Sequence, residues 1–389
     1  MQSLSERTSR FGGSMIRAMT QSAHADRAIN LGQGFPDFDP PAEMMLELAR
    51  VSREGPHQYA QTSGAANLRI ALSGKLAASL GRNIDPDNEV VITCGGTEAM
   101  MATLLALVDP GDRVAVFSPY YENYVSQAIM AGAVVDFVPL SWPDFRIDFD
   151  RLEQALAKRP KALIVCNPSN PTGKVFSLDE LTTIANLADR YDVYVVTDEV
   201  YEHIVFDGRK HIHAAGLPGM SERVITTGSL SKTYAITGWR LGYVYATPRI
   251  IDAVKHIHDY LTVCAPAPVQ EAVIAGLRLP ESYYENLRRS YQKKRDIFVR
   301  GLVDIGLEVT NPQGAYYVLM DTRSFGMEDD LAFCRWLIDE IGVIAVPGTS
   351  FQQAKSTGTV RLHFAKKEET LLAALNRLEK IRTIKGARV

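Results

Sequence analysis

Short apolar runs alternate with helical patterns through the middle of the chain, and this alternation restricts the fold more than any other feature. "EVVITC" (89–94), "RVAVFSP" (113–119), "KALIVCNP" (161–168), "VYVVTDEVY" (193–201) and "RVITTGS" (223–229) each read as a strand. Between them lie helical stretches. One runs from Thr97 to Val108, and another, "LDELTTIANLADRY", puts Leu181, Ile184, Leu187 and Ala188 on one face. Strands apolar on both faces, joined by helices, make a mostly parallel sheet covered on both sides, an α/β fold. Ligands of such sheets bind beyond the carboxyl ends of the strands.

After Pro280 a long helical pattern, "ESYYENLRRSYQKKRDIFVRGLVDIG", leads out of this unit. The remainder mixes strands near 307–310, 315–320 and 359–364 with helices near 329–341 and 367–383. We therefore expect a large domain over residues 46–284. A smaller α+β domain is expected from the two chain ends, with 1–45 as an arm and partial contributor and 285–389 as its body. A chain of 389 residues has room for both.

The composition excludes several classes of function. A net charge of −3 gives no electrostatic reason to expect nucleic acid or an anionic membrane as partner. No apolar run reaches the ~18 residues of a membrane span, and no apolar segment at the N-terminus suggests secretion. Cys94, Cys166, Cys264 and Cys334 lie far apart without a CxxC pair, which fits a reducing compartment, and a cytoplasmic location is expected. "HIH" occurs at 211–213 and again at 256–258. Neither pair has a third ligand in view, so both read as structural or surface histidines and no metal is expected.

The strand ends carry the polar groups. Lys232 follows "RVITTG" in "SLSKT", but Ser231 and Thr226 stand where a phosphate-binding P-loop needs glycines. Asp198 ends another strand, and a carboxylate buried there needs a cation or strong donors. "GGTEA" opens a helix whose free N–H groups favour an anion. Ser229 and Arg240 add a hydroxyl and a fork of donors. One ligand satisfies the whole set. Pyridoxal phosphate combines a phosphate, a ring nitrogen that an Asp keeps protonated, and an aldehyde that condenses with a lysine.

Taken in order, "GQGFPDF", "GGTEA", "NPSNPTG", "DEVY", "SLSKTYAITGWRLGY" and "VRLHFA" resemble the class I/II aminotransferases, the fold type I pyridoxal phosphate enzymes. The resemblance implies that Lys232 is the Schiff-base lysine and proton shuttle, and that Asp198 pairs with the ring nitrogen. It implies that Asn170 and Tyr201 bind the phenolate oxygen, and that Tyr121 stacks on the ring. Gly96, Thr97, Ser229 and Arg240 would hold the phosphate. Arg361 would grip the substrate α-carboxylate, with the Gly34 backbone close by. Tyr59, in "HQYAQTSG", matches a tyrosine that reaches the phosphate of the other subunit, so a homodimer with shared sites is expected.

The branch most resembled contains kynurenine/glutamine, aromatic/methionine and prokaryotic aspartate aminotransferases. The aromatic residues Phe35, Tyr59, Tyr121 and Tyr124 favour a bulky neutral amino acid as amino donor to a 2-oxo acid. An aspartate aminotransferase and a C–S β-lyase are the alternatives. A non-catalytic regulator domain is more remote, because no stretch reads as a DNA-binding domain.

Overall fold

The computed structural model describes residues 2–22, 27–327 and 329–381. Residues 1, 23–26, 328 and 382–389 of the expected segments, including the end of the helix expected to reach 383, lie outside them. In chain order the strands are β1 (Ile29–Asn30), β2 (Val90–Thr93), β3 (Arg113–Ser118), β4 (Val134–Ser141), β5 (Arg146–Ile147), β6 (Ala162–Cys166), β7 (Tyr194–Asp198), β8 (Val224–Ser229), β9 (Gly242–Tyr245), β10 (Tyr317–Asp321), β11 (Val343–Ile344), β12 (Val346–Pro347) and β13 (Thr359–His363).

Eight strands form one sheet in the order β2-β9-β8-β7-β6-β3-β4-β5. The pairs β3–β4, β3–β6, β6–β7 and β7–β8 are parallel. β9 runs against both β2 and β8, and the short β5 runs against β4. The five runs legible in the sequence are β2, β3, β6, β7 and β8. Apolar clusters cover both faces of the sheet, one around Leu163, Val165 and Val195, the other around Val114, Ile164 and Val196. Adjacent residues of one strand thus belong to opposite faces, as the pleat requires.

The helix Leu178–Tyr191 shows how local sequence sets an element. Ser177 and Glu180 close a capping box at its start, and Leu181, Ile184, Leu187 and Ala188 are buried. The box satisfies backbone N–H groups that helix formation leaves free.

A third cluster, around Phe298, Tyr316, Val318, Leu362 and Phe364, belongs to the three-stranded sheet β10-β13-β12 and the helices beside it. β1 pairs in parallel with β11, which brings the N-terminal segment into this part of the molecule. The expected strand at 307–310 amounts to a single bridge, Val309 to Met320. The helix Glu281–Asp304 joins the two parts: Tyr284 packs with the large-sheet core, while Tyr291, Phe298 and Leu302 pack with the smaller one.

Candidate active site

Because β2, β3, β6, β7 and β8 point the same way, the residues following them gather at one end of the sheet. A cavity of about 600 Å³ opens there, closed on its other side by residues near β1, β10 and β13. From the sheet side come Gly96, Thr97, Tyr121, Asn170, Asp198, Tyr201, Ser229, Lys232 and Arg240; from the other side come Gly34, Phe35 and Arg361.

The helix Gly95–Leu107 starts at this cavity with no side-chain cap. Arg240 takes a left-handed conformation, φ 58°, and leans its guanidinium against that start. A Cβ on Gly95, itself at φ +79°, would lie 2.4 Å from Arg240 Nη2, so only glycine allows the approach. Ser229 Oγ donates to the Leu241 carbonyl and accepts from the Ser231 N–H. Hydroxyl, guanidinium and open helix end therefore converge.

Lys232 Nζ donates to the Gly34 carbonyl at 3.1 Å. Burial, reinforced by the positive charges of Arg240 and Arg361, pushes its ammonium down to about 8, against a smaller upward pull from Asp198. Asp198 accepts from the Tyr124 hydroxyl at 2.5 Å and from the Val200 N–H at 3.3 Å. Burial nevertheless raises its pKa, because these donors do not replace water fully. Tyr124, expected at the substrate, is thus placed to hold Asp198.

Arg361 is 1% exposed. Its Nη1 donates to Asn170 Oδ1 and its Nη2 to the Gly32 carbonyl, both at 2.7 Å. The guanidinium lies between the rings of Tyr317 and Phe351, 4.3 and 4.7 Å from their centroids. Its Nε has no partner. The hydroxyls of Tyr201 and Tyr317 meet at 2.8 Å. A side chain on Gly34 would collide with the Tyr317 hydroxyl, which explains a glycine where the two parts of the molecule touch. Tyr59 alone among the expected site residues lies away from this cavity, 83% exposed.

The sequence did not reveal Tyr317, nor the mouth of the cavity, where Ser14, Arg17 and Glu122 stand. Ser14 Oγ donates to Glu122 in a short hydrogen bond. No motif marks Ser14 or Arg17, and the runs that hold Tyr317 ("PQGAYYVL") and Glu122 ("SPYYENY") gave those two residues no role.

Residues 26–378 match the family model "Aminotransferase class I and II". The chain belongs to this family. A probable N-succinyldiaminopimelate aminotransferase of Mycobacterium tuberculosis is 39% identical over 364 residues, covering 90% of this chain and 91% of that one. A methionine aminotransferase of Escherichia coli is 36% identical, covering 95% and 96%. The solved structure of N-succinyldiaminopimelate aminotransferase from M. tuberculosis superposes with a TM-score of 0.93 over 97% of this chain and 100% of that one, at 37% identity. The aminotransferase moves an amino group, and its family works with pyridoxal 5'-phosphate.

The residues present fit that cofactor. The uncapped helix start beside Arg240 suits a dianion. A buried carboxylate with a raised pKa suits a cationic ring nitrogen. An amine near neutrality suits an aldehyde. The Ser231 hydroxyl is buried without a partner in the same wall.

Proposed function

We propose that this aminotransferase takes the amino group from a bulky neutral L-amino acid, of aromatic, methionine or glutamine type, and passes it to a 2-oxo acid. The observation that carries the reading is the set of charges in the cavity. Arg361 is held ready for one carboxylate and Arg240 belongs to the phosphate end. The remaining arginine lining the cavity, Arg17, shares the mouth with Glu122, whose negative charge opposes a second carboxylate.

Pyridoxal phosphate, when bound, supplies an electron-accepting ring that stabilises negative charge at the substrate α-carbon. Gly96 and Thr97, through backbone N–H groups, with Ser229 and Arg240 would hold its phosphate. Asp198, steadied by Tyr124, would keep the ring nitrogen positively charged. Tyr201 and Asn170 would donate to the phenolate oxygen. Because Asn170 Oδ1 already accepts from Arg361, its NH₂ group would be the donor to that oxygen. Tyr121 would cover one ring face. Lys232 would carry the cofactor and, as free amine, would move the proton between the substrate α-carbon and the cofactor's C4′. Burial and the positive charges of Arg240 and Arg361, which disfavour its ammonium, support that role. Arg361 would grip the α-carboxylate, with the Gly34 backbone alongside.

Arg17 favours a second reading, an aspartate-type substrate whose side-chain carboxylate it would meet. A panel of L-amino acids scored for spectral conversion of the holoenzyme decides between them. Phenylalanine, methionine and glutamine ahead of aspartate support the neutral reading, and aspartate ahead of all three overturns it.

The working unit in this reading is a homodimer in which the exposed Tyr59 of each chain serves the other's phosphate site. A cytoplasmic setting fits the four free cysteines. No helix among the described residues is long and apolar enough to cross a membrane.

A further inference from the structure

The sequence shows His211 and His213 without a third ligand, and the fold supplies one twelve residues upstream. Glu199 follows Asp198 at the end of β7 but does not line the active-site cavity. His211 and His213, two residues apart in extended backbone, present their rings to the same side, edge-on with centroids 4.6 Å apart. Glu199 Oε2 lies 3.0 Å from His211 Nε2 and 2.5 Å from His213 Nδ1. The three donor atoms all fall within 4.8 Å of one another. Their side chains are 2%, 6% and 14% exposed, so the group is largely shielded from bulk water.

We propose that Glu199, His211 and His213 form a binding site for a divalent first-row metal ion, of the two-histidine, one-carboxylate type, with zinc as the best-suited ion. Two imidazoles exclude magnesium and calcium as natural occupants, since those ions prefer an all-oxygen shell. Two histidines and a glutamate with an open fourth position are an established zinc ligand set.

The surroundings add two independent supports. Glu202 Oε2 stands 3.5 Å from His213 Nε2. With Nδ1 turned to an ion, the opposite N–H of the ring meets a carboxylate, the outer contact that fixes the tautomer of a metal-bound histidine. A second cavity of about 640 Å³, lined by Glu202, His203, His211 and His213, gives room for a water as fourth ligand and a way in. Arg209, Lys210, Arg288 and Arg289 also line that cavity and oppose a cation, while Glu202, Glu281 and Glu285 favour it.

Zinc bonds of about 2.0–2.2 Å need ligand atoms about 3.3 Å apart. The Glu199 oxygen therefore moves by less than about 1 Å from each histidine nitrogen, and the two nitrogens need only stay within, or close from, their 4.8 Å limit. The ion would tie the 208–213 segment to the end of β7, the strand that carries Asp198.

The test uses the chelator-treated holoenzyme titrated with zinc chloride by calorimetry, and with cobalt(II) followed by visible absorption. One ion per chain is expected, with the intense visible bands of four-coordinate cobalt. His211→Ala and His213→Ala should each weaken uptake at least about a hundredfold, and Glu202→Gln about 10–100-fold. Exposed His256→Ala should leave uptake unchanged. Glu199→Gln, which preserves shape, repeats the test should either alanine variant fail the far-UV dichroism check for folding. Failure of the wild type to take up an equivalent of zinc overturns the proposal. So does uptake that survives the Glu199, His211 and His213 substitutions. Because the readout is binding, its failure leaves the proposed transamination untouched.

Discussion

Replacing Arg361 by lysine keeps the charge and removes the planar fork. Arg361 uses one Nη on Asn170 and the other on Gly32, is stacked between Tyr317 and Phe351, and is cut off from bulk water. The guanidinium is thus fixed before any substrate arrives, and its remaining N–H groups offer a carboxylate a preset pair of donors. An ammonium has three donors and no plane, so it cannot serve Asn170, Gly32 and two carboxylate oxygens together. Disrupting a buried, hydrogen-bonded charge pair costs about 2–5 kcal/mol. At about 1.4 kcal/mol per factor of ten, kcat/KM falls roughly 30- to 4,000-fold. The upper half is expected, because so little water can replace the lost contacts. The assay is kcat/KM for phenylalanine, methionine and glutamine with the wild type and Arg361→Lys, with a thermal midpoint to confirm folding. The loss should be similar for all three, since the α-carboxylate is common to them. A loss below about fivefold, or one confined to a single amino acid, refutes the reasoning.

Asp198→Ala should retain part of its cofactor through the phosphate contacts yet lose at least about a hundredfold in turnover, because an uncharged ring accepts electrons poorly; near-normal turnover would show that Asp198 has another task. In the apoprotein, burial and the charges of Arg240 and Arg361 disfavour the Lys232 ammonium, so free amine accumulates as pH climbs through about 8. Labelling of Lys232 by an amine reagent, followed by peptide mapping, should track that midpoint, and a midpoint near the ordinary lysine value of about 10.4 contradicts the site's electrostatics. A mixed dimer of Lys232→Ala with Tyr59→Phe chains should contain one wild-type site if Tyr59 serves its neighbour; cofactor retention and activity no better than the Tyr59→Phe homodimer rule that out.

The strongest strands were legible because their apolar character runs on both faces, without interruption in β6, "ALIVC", and up to Val196 in β7. β9 escaped notice: its "GYVY" is four residues long and sits inside the motif that contains Arg240. β4 alternates buried and exposed residues and carries a proline, which dilutes the pattern. β11 and β12 are two residues each, too short for any periodicity. At the site, strand ends and family motifs pointed to Asp198, Asn170, Lys232 and Arg361. Contacts between distant segments were not legible, because they depend on how the two parts of the molecule dock. The hydroxyl of Tyr124 meets Asp198 across 74 residues of chain, and Glu199 meets His213 only where a loop folds back on β7.

The helix Glu281–Asp304 is a lever. Its 24 residues span about 36 Å at 1.5 Å per residue, with Tyr284 seated in one core and Leu302 in the other. Some 27 Å separate those two anchors, so a tilt of about 5° at Tyr284 swings Leu302 by roughly 2 Å. β13 rides on the same core as Leu302, and Arg361 rides on β13. A swing of that size exceeds what the 2.7 Å bond from Arg361 to Asn170 can follow. A tilt of this one helix would therefore part the arginine from the loop after β6 and keep them from closing on the same carboxylate.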